Sequence, residues 1–131
     1  MHAVFDASVF VRAVVPLEPA ALRWIRWAVA QEISVGVPDL VFAEVGNALC
    51  GYARDTKLTL AGAMRRVDFV ARMPLDVREH RTLVGAAVGL AFSRGLSVYD
   101  ACYAVLAEVE DAVLVTADRR LAEAVARSEL V

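Results

Sequence analysis

The chain has 131 residues, of which 59% are hydrophobic and 23% are charged. This length suits one domain, so we expect a single domain over residues 1–131. The composition excludes a disordered or collagen-like chain. Sixteen acidic residues against fourteen basic ones give a formal net charge of −2, so no overall positive charge indicates nucleic-acid binding.

The first residues and the cysteines favour a cytoplasmic protein. No uncharged stretch approaches the ~20 apolar residues that a membrane helix needs. Residues 1–6 have no basic segment before their apolar run, which argues against a signal peptide. Cys50 and Cys102 lie far apart in apolar segments, so we expect buried free thiols, which suit a reducing compartment.

Short apolar strands alternate with helices along the chain. The predicted elements, in chain order, are strand 3–6, helices 8–15 and 18–32, strand 33–37, helices 38–54 and 59–72, strand 75–77, helices 80–94 and 97–108, strand 112–116, helix 118–127 and an edge at 130–131. Such alternation predicts an α/β fold with a parallel sheet covered on both faces. Sites in such sheets form where the strands end and the following helices begin.

Four carboxylates stand in apolar surroundings, where a charge is costly unless it is paired or bound to a metal. Asp6 and Asp118 each follow an apolar strand, whereas Glu44 and Asp100 are the only charges in long apolar helical segments. Asp6 and Asp118 also stand where an aspartate would cap a helix, and Ser97 with Asp100 resembles a capping box. Capping is therefore an alternative role for three of the four.

Glu44 is predicted near the middle of its helix, too far from the start to cap it. It shares a narrow polar face with Asn47, which either lines a cavity or faces solvent. If the first and fourth predicted strands are parallel neighbours, Asp6 and Asp118 emerge at one edge of the sheet, and the helices of Asp100 and Glu44 can pack across it. Carboxylates held close together repel one another. A bound Mg²⁺ or Mn²⁺ ion removes that repulsion, and both ions prefer oxygen ligands. A metal-bound water at such a site suits phosphodiester hydrolysis.

Two other classes of protein remain as alternatives. Phosphatases and receiver domains usually need paired acids after the first strand and a lysine near the site. This chain has Asp6-Ala7-Ser8 there and a lone Lys57 in a predicted turn. A non-catalytic interaction module with the same fold would still have to account for the charges of Glu44 and Asp100.

Four segments carry a more specific pattern: Phe5-Asp6-Ala7-Ser8, Pro38-Asp39-Leu40 with Glu44-Val45-Gly46-Asn47, Leu96-Ser97-Val98-Tyr99-Asp100-Ala101 with Tyr103, and Val115-Thr116-Ala117-Asp118-Arg119-Arg120. In this order and spacing they resemble PIN-domain proteins, and most of all the VapC-type toxins of toxin–antitoxin pairs. The resemblance covers residues 3–126. It implies a Rossmann-like three-layer α/β/α fold with a mostly parallel sheet, and a Mg²⁺- or Mn²⁺-dependent endoribonuclease.

The resemblance also implies roles for individual residues. Asp6, Glu44, Asp100 and Asp118 match the acidic quartet that holds the metal and carries out catalysis, and Asp6 and Asp100 match its firmest ligands. Ser8 and Thr116 match small hydroxyl positions that orient a water or a carboxylate. Asn47 matches the position of a further hydrogen-bond donor. Arg119 and Arg120 either contact an RNA phosphate or are simply solvated.

Members of this family usually form homodimers and are blocked by a VapB-type antitoxin. The helix predicted over 18–32 is suited to such a contact because it has two apolar faces. Leu22, Ile25 and Val29 form one stripe, and Trp24 and Trp27 lie nearly opposite. Since a surface helix needs only one buried stripe, we expect both tryptophans at an antitoxin or dimer contact. The alternative is that they pack under a neighbouring helix of the same chain.

Overall fold

Five short strands form one sheet at the centre of the structure, a computed structural model that describes residues 1–131. All neighbouring strands are parallel, in the order β3-β2-β1-β4-β5. The strands are β1 (His2–Phe5), β2 (Ser34–Pro38), β3 (Asp76–Arg78), β4 (Val113–Thr116) and β5 (Ser128–Leu130). The helices are α1 (Ala7–Val14), α2 (Pro19–Val29), α3 (Val41–Arg54), α4 (Leu60–Ala71), α5 (Val84–Arg94), α6 (Val98–Val109) and α7 (Arg119–Ala122).

The helices cover the sheet, which confirms the predicted three-layer α/β/α fold. Helices α1 to α4 pack on one another, while α5 packs on α6 and α6 lies against β1, β2 and β4. Away from their end residues the central strands are apolar, as strands buried on both faces must be, and the seven consecutive residues 101–107 of α6 are buried. No helix combines the length and the hydrophobicity that a membrane crossing requires.

The helix that carries Glu44 begins later than the sequence predicts. A helix opening at Pro38 is predicted, but Pro38 ends β2 and α3 begins at Val41. The backbone N–H of Asp39 donates to the carbonyl of Arg78 at 2.7 Å, and this bond keeps the chain extended past the proline. The predicted mid-helix position of Glu44 is therefore wrong, because Glu44 lies in the first turn of α3.

The last helix is much shorter than the sequence predicts. A helix over 118–127 is predicted, but α7 ends at Ala122 after four residues. The chain then returns to the sheet, where the backbone N–H of Leu114 donates to the carbonyl of Arg127 at 3.0 Å. Because this return places β5 beside β4, the segment before it cannot continue the helix.

Two further boundaries differ from the prediction. The predicted helix 80–94 is divided into a 3-10 turn over His80–Thr82 and α5. On α2, Val29 belongs to the predicted buried stripe but is 47% exposed, since the helix ends there. The residues of α2 that are buried are Ala21, Ile25 and Ala28.

Candidate active site

Asp6 lies at the junction of β1 and α1, with only 6% of its surface exposed. Its Oδ1 accepts from the backbone N–H of Ser8 at 3.0 Å, so Asp6 does cap α1. Its Oδ2 accepts from the hydroxyl of Thr116, which ends the neighbouring strand β4, at 2.6 Å. Burial raises the pKa of Asp6, and the hydrogen bonds from Ser8 and Thr116 oppose that rise only in part.

Two hydroxyl groups link the Asp6 carboxylate to the turn after β4. The Ser8 hydroxyl donates to Asp6 Oδ1 and accepts from the backbone N–H of Ala117 at 2.9 Å. The Thr116 hydroxyl donates to Asp6 Oδ2 and accepts from the backbone N–H of Asp118 at 2.9 Å. Because each hydroxyl has one proton, and that proton is used on Asp6, the carboxylate is held from both sides. Any direct part of Ser8 and Thr116 in catalysis stays a prediction.

Glu44 is held by a tyrosine on another helix. The hydroxyl of Tyr103, on α6, donates to Glu44 Oε1 at 2.5 Å. The Tyr103 ring is buried, whereas Glu44 is half-buried in the first turn of α3. Burial raises the pKa of Glu44, the Tyr103 hydroxyl lowers it, and the charges of Asp100 and Asp6 raise it further.

Asp100 and Asp118 lie at the starts of α6 and α7. The backbone N–H of Asp100 donates to the Ser97 hydroxyl at 3.0 Å, but the Ser97 backbone N–H does not donate to the Asp100 carboxylate, so only half of the capping box exists. Asp118 caps α7 because its Oδ1 accepts from the backbone N–H groups of Arg120 at 2.9 Å and Leu121 at 3.3 Å. Burial and the charge of Asp118 raise the pKa of Asp100, against the opposing effects of the Ser97 side chain and of the charge of Arg120.

The four predicted carboxylates act on one another electrostatically. Asp6 and Asp100 both act on Glu44, and Asp118 acts on Asp100. Nevertheless, no three acidic, histidine or cysteine side chains are already arranged to hold a metal ion. The carboxylates therefore share one region of negative potential without forming a ready-made coordination cage.

The other predicted polar residues lie at the surface. Asn47 is exposed and makes no side-chain hydrogen bond within the protein. Arg120 is exposed, and its guanidinium donates to the carbonyl of Gly95, at the end of α5, at 2.6 Å. Arg119 is exposed and makes no such bond. Their contacts with RNA stay a prediction.

The two tryptophans of α2 pack partly within the chain. The Trp24 ring lies edge-on to the Phe5 ring, with centroids 6.0 Å apart, and joins the apolar core. The Trp27 ring lies edge-on to Trp24, with centroids 5.2 Å apart, and is also partly buried. Trp24 therefore has a structural role of its own, and a partner contact at either ring stays a prediction.

Tyr103 is the one residue of this site to which the sequence pattern assigns no role. Its position three residues after Asp100 places both residues on one face of a helix, which indicates that it shares the environment of the acids. The hydrogen bond to Glu44 is not readable from spacing, because Glu44 lies on another helix 59 positions away.

The parallel sheet, with acids following β1 and β4 and in the first turns of α3 and α6, has the architecture of a PIN domain. That family matches residues 3–126, and the chain belongs to it. The chain is 34% identical over 125 residues to Ribonuclease VapC3 of Pyrobaculum aerophilum, which covers 94% of each chain. It is 36% identical over 101 residues to Exonuclease VapC9 of the same organism, covering 77% of this chain and 74% of the relative.

A solved complex shows the same fold. It is VapBC2 from Rickettsia felis bound to a DNA fragment from their promoter, and the match has a TM-score of 0.71 at 16% identity. The match covers 100% of this chain and 99% of the other. The fold and the family of the chain are thus fixed, and both curated relatives carry the names of VapC nucleases.

Proposed function

We propose that this chain is the nuclease toxin of a VapBC-type pair, an endoribonuclease that depends on Mg²⁺ or Mn²⁺. Asp6, Glu44, Asp100 and Asp118 are its acidic quartet. The observation that supports this most is that burial raises the pKa values of Asp6, Glu44 and Asp100, and that neighbouring carboxylates raise those of Glu44 and Asp100 further. Such an arrangement opposes its own ionisation unless a cation is bound, and the nuclease names of the two relatives agree with it.

The residues present fit a hard divalent cation by their chemistry. All four acids offer carboxylate oxygens, which Mg²⁺ and Mn²⁺ prefer, and no histidine or cysteine competes among them. When bound, such an ion lowers the pKa of a water and offsets charge on the phosphate. Asp6 and Asp100 would hold it, and Glu44 and Asp118 would complete the site or orient the attacking water.

The rest of the site prepares the carboxylates. Ser8 and Thr116 fix the rotation of the Asp6 carboxylate, which therefore needs no reorganisation when a ligand binds. Tyr103 holds one oxygen of Glu44 and leaves the other free. Arg120, whose charge lowers the pKa of Asp100, supplies positive charge near a bound phosphate.

The decisive experiment uses a circular single-stranded RNA, which has no ends for an exonuclease. Incubated with the full chain and Mg²⁺ or Mn²⁺, the circle is expected to be linearised, and EDTA is expected to stop this. Asp6→Asn should lower the rate by at least about a hundredfold, because even an outer partner of a metal ligand contributes about 10–100-fold. Glu108→Gln is the matched control, since Glu108 is exposed on the same helix as Asp100 and its side chain makes no hydrogen bond within the protein.

Each part of the proposal can fail separately. Cleavage of linear RNA alone would mean an exonuclease, in line with the name of one relative. Cleavage that survives EDTA or Asp6→Asn would remove the metal or the quartet from the mechanism. If the chain has a native circular dichroism spectrum but cleaves no RNA, the remaining interpretation is a non-catalytic interaction module.

We also propose a VapB-type antitoxin as partner, a homodimer and a cytoplasmic location. The fold shared with a VapBC complex supports the first. Exposed apolar side chains on α4, Leu60, Met64 and Phe69, offer surface for a partner in addition to the tryptophans of α2. Stoichiometric inhibition of cleavage by an added VapB-type protein tests the partner. Sedimentation of the purified chain tests the dimer, which a monomeric mass would exclude.

A further inference from the structure

A cavity of about 410 Å³ lies beside the carboxylates and takes part in none of the contacts described above. Its walls come from the turn before α3, the 3-10 turn, the start of α5 and the first turns of α6. The lining residues are Leu40, His80, Val84, Val98, Tyr99 and Cys102. Its volume lies within the range of about 300–1,000 Å³ that small-molecule sites usually have.

The walls of this cavity are continuous with the acidic site. Tyr99 directly precedes Asp100, and the carbonyl of Leu40 accepts from the backbone N–H of Glu44 at 3.1 Å. Cys102, in the wall of the cavity, directly precedes Tyr103, whose hydroxyl donates to Glu44 Oε1 at 2.5 Å. A group in the cavity would therefore be a close neighbour of whatever binds at the carboxylates.

The chemistry of the lining selects an uncharged, flat group. No lysine or arginine lines the cavity, so it is unsuited to a phosphate. Five of its six lining residues are apolar, and the Tyr99 side chain is 65% exposed. The one polar ring, His80, is held in place by Asp39, whose Oδ1 accepts from the His80 backbone N–H at 2.9 Å and lies 2.5 Å from its Nδ1.

We propose that this cavity binds the base of the nucleotide next to the phosphate at the carboxylates. Single-stranded RNA is recognised chiefly by stacking unpaired bases on aromatic rings and by hydrogen bonds to their edges. Tyr99 supplies the ring for stacking, and His80 supplies a fixed polar group for the edge of the base. This inference rests on the proposed cleavage of RNA, and it makes the cavity the place where the identity of one base is read.

The test uses free nucleosides, because they carry the base without a phosphate and need no cleavage. Adenosine, guanosine, cytidine and uridine are titrated into the isotope-labelled full chain in EDTA and followed by NMR. Chemical shift changes are expected at the lining residues, with one nucleoside favoured. Tyr99→Ala should weaken that binding by about fivefold or more, since base–aromatic stacking contributes at least about that factor. Phe92→Ala, which removes a fully exposed aromatic ring elsewhere, should leave it unchanged.

A second variant, Val84→Trp, fills the cavity from another wall and should abolish the shifts while Tyr99 is still present. Shifts that fall elsewhere, or that survive both variants, would overturn the proposal. A concentration-dependent dimer that Tyr99→Ala dissociates, without any effect of nucleosides, would also overturn it, because a second copy would then occupy the cavity. Nucleoside binding in the cavity together with intact circular RNA would instead support the base site and refute endonucleolytic cleavage.

Discussion

Tyr103→Phe tests whether repulsion among the carboxylates of the site destabilises the fold when the hydrogen-bond donor of Glu44 is removed. The substitution removes only the hydroxyl that donates to Glu44 at 2.5 Å, and the buried ring keeps its packing. Glu44 then keeps its charge beside Asp6 and Asp100 without its donor. We therefore expect the metal-free protein to be less stable.

The size of the loss follows from the type of bond. A hydrogen bond to a charged group contributes roughly 1.5–3 kcal/mol, and half-exposed Glu44 can recover part of this from water. We expect a loss near the lower end, about 1.5 kcal/mol. For a chain of this length that is a fall in the melting temperature of about 5 °C.

The dependence on pH gives this prediction its sharpest form. The Tyr103 hydroxyl lowers the pKa of Glu44, so it favours the charged carboxylate over the neutral acid. The loss in Tyr103→Phe should be largest at about pH 8, where Glu44 is ionised, and should shrink towards about pH 4. Urea denaturation in EDTA, followed by circular dichroism at both pH values, measures it.

The matched control is Tyr52→Phe on α3, because the Tyr52 hydroxyl makes no hydrogen bond within the protein and its ring is also partly buried. This control should change the free energy of unfolding by less than about 0.5 kcal/mol. An equally small change in Tyr103→Phe, or a loss of equal size at both pH values, would refute the idea that Glu44 needs its donor.

The remaining predictions concern the charge of the site. Asp100→Asn should raise the melting temperature of the metal-free protein at about pH 8, with a gain on the order of 1 kcal/mol in the free energy of unfolding. The reason is that the pKa of Asp100 is raised, so its ionisation costs stability as the pH rises. The gain should vanish at about pH 3, and a lower melting temperature at both pH values would count against repulsion. Mg²⁺ or Mn²⁺ should raise the melting temperature of the unaltered chain, more at about pH 8 than at about pH 5, because a cation relieves charged carboxylates. Scanning calorimetry checks this, and an equal rise in Asp6→Asn would place the ion elsewhere.

Much of the fold could be predicted because its determinants are local. The apolar runs of β1 and β4 and the capping residues Thr59 and Ser97 act within a few positions of the chain. Asp6 is recognisable from the sequence for a similar reason, since an acid directly after a buried strand must cap a helix, meet a partner or bind a cation.

The errors at the start of α3 and at the end of α7 have one physical origin, which is pairing between distant segments. Pro38 looks like a helix start by composition, but its pairing with Arg78 in β3, together with the bond from Asp39 to Arg78, keeps it extended. The short α7 is likewise set by the return of the chain to β4. The contact of Tyr103 with Glu44 depends on how α6 and α3 pack, which no local pattern encodes.

The two hydroxyls around Asp6 connect its carboxylate to two backbone amides that follow strand β4, where its charge state can be measured. The amide protons of Ala117 and Asp118 are bonded not to carbonyls but to the oxygens of Ser8 and Thr116. A hydroxyl oxygen has two lone pairs, so each of these oxygens accepts from its amide while its own proton is donated to Asp6. Protonation of Asp6 changes what its oxygens accept and so rearranges both hydroxyls, and we expect the exchange rates of these two amides with deuterium to respond to a carboxylate more than a hundred positions away.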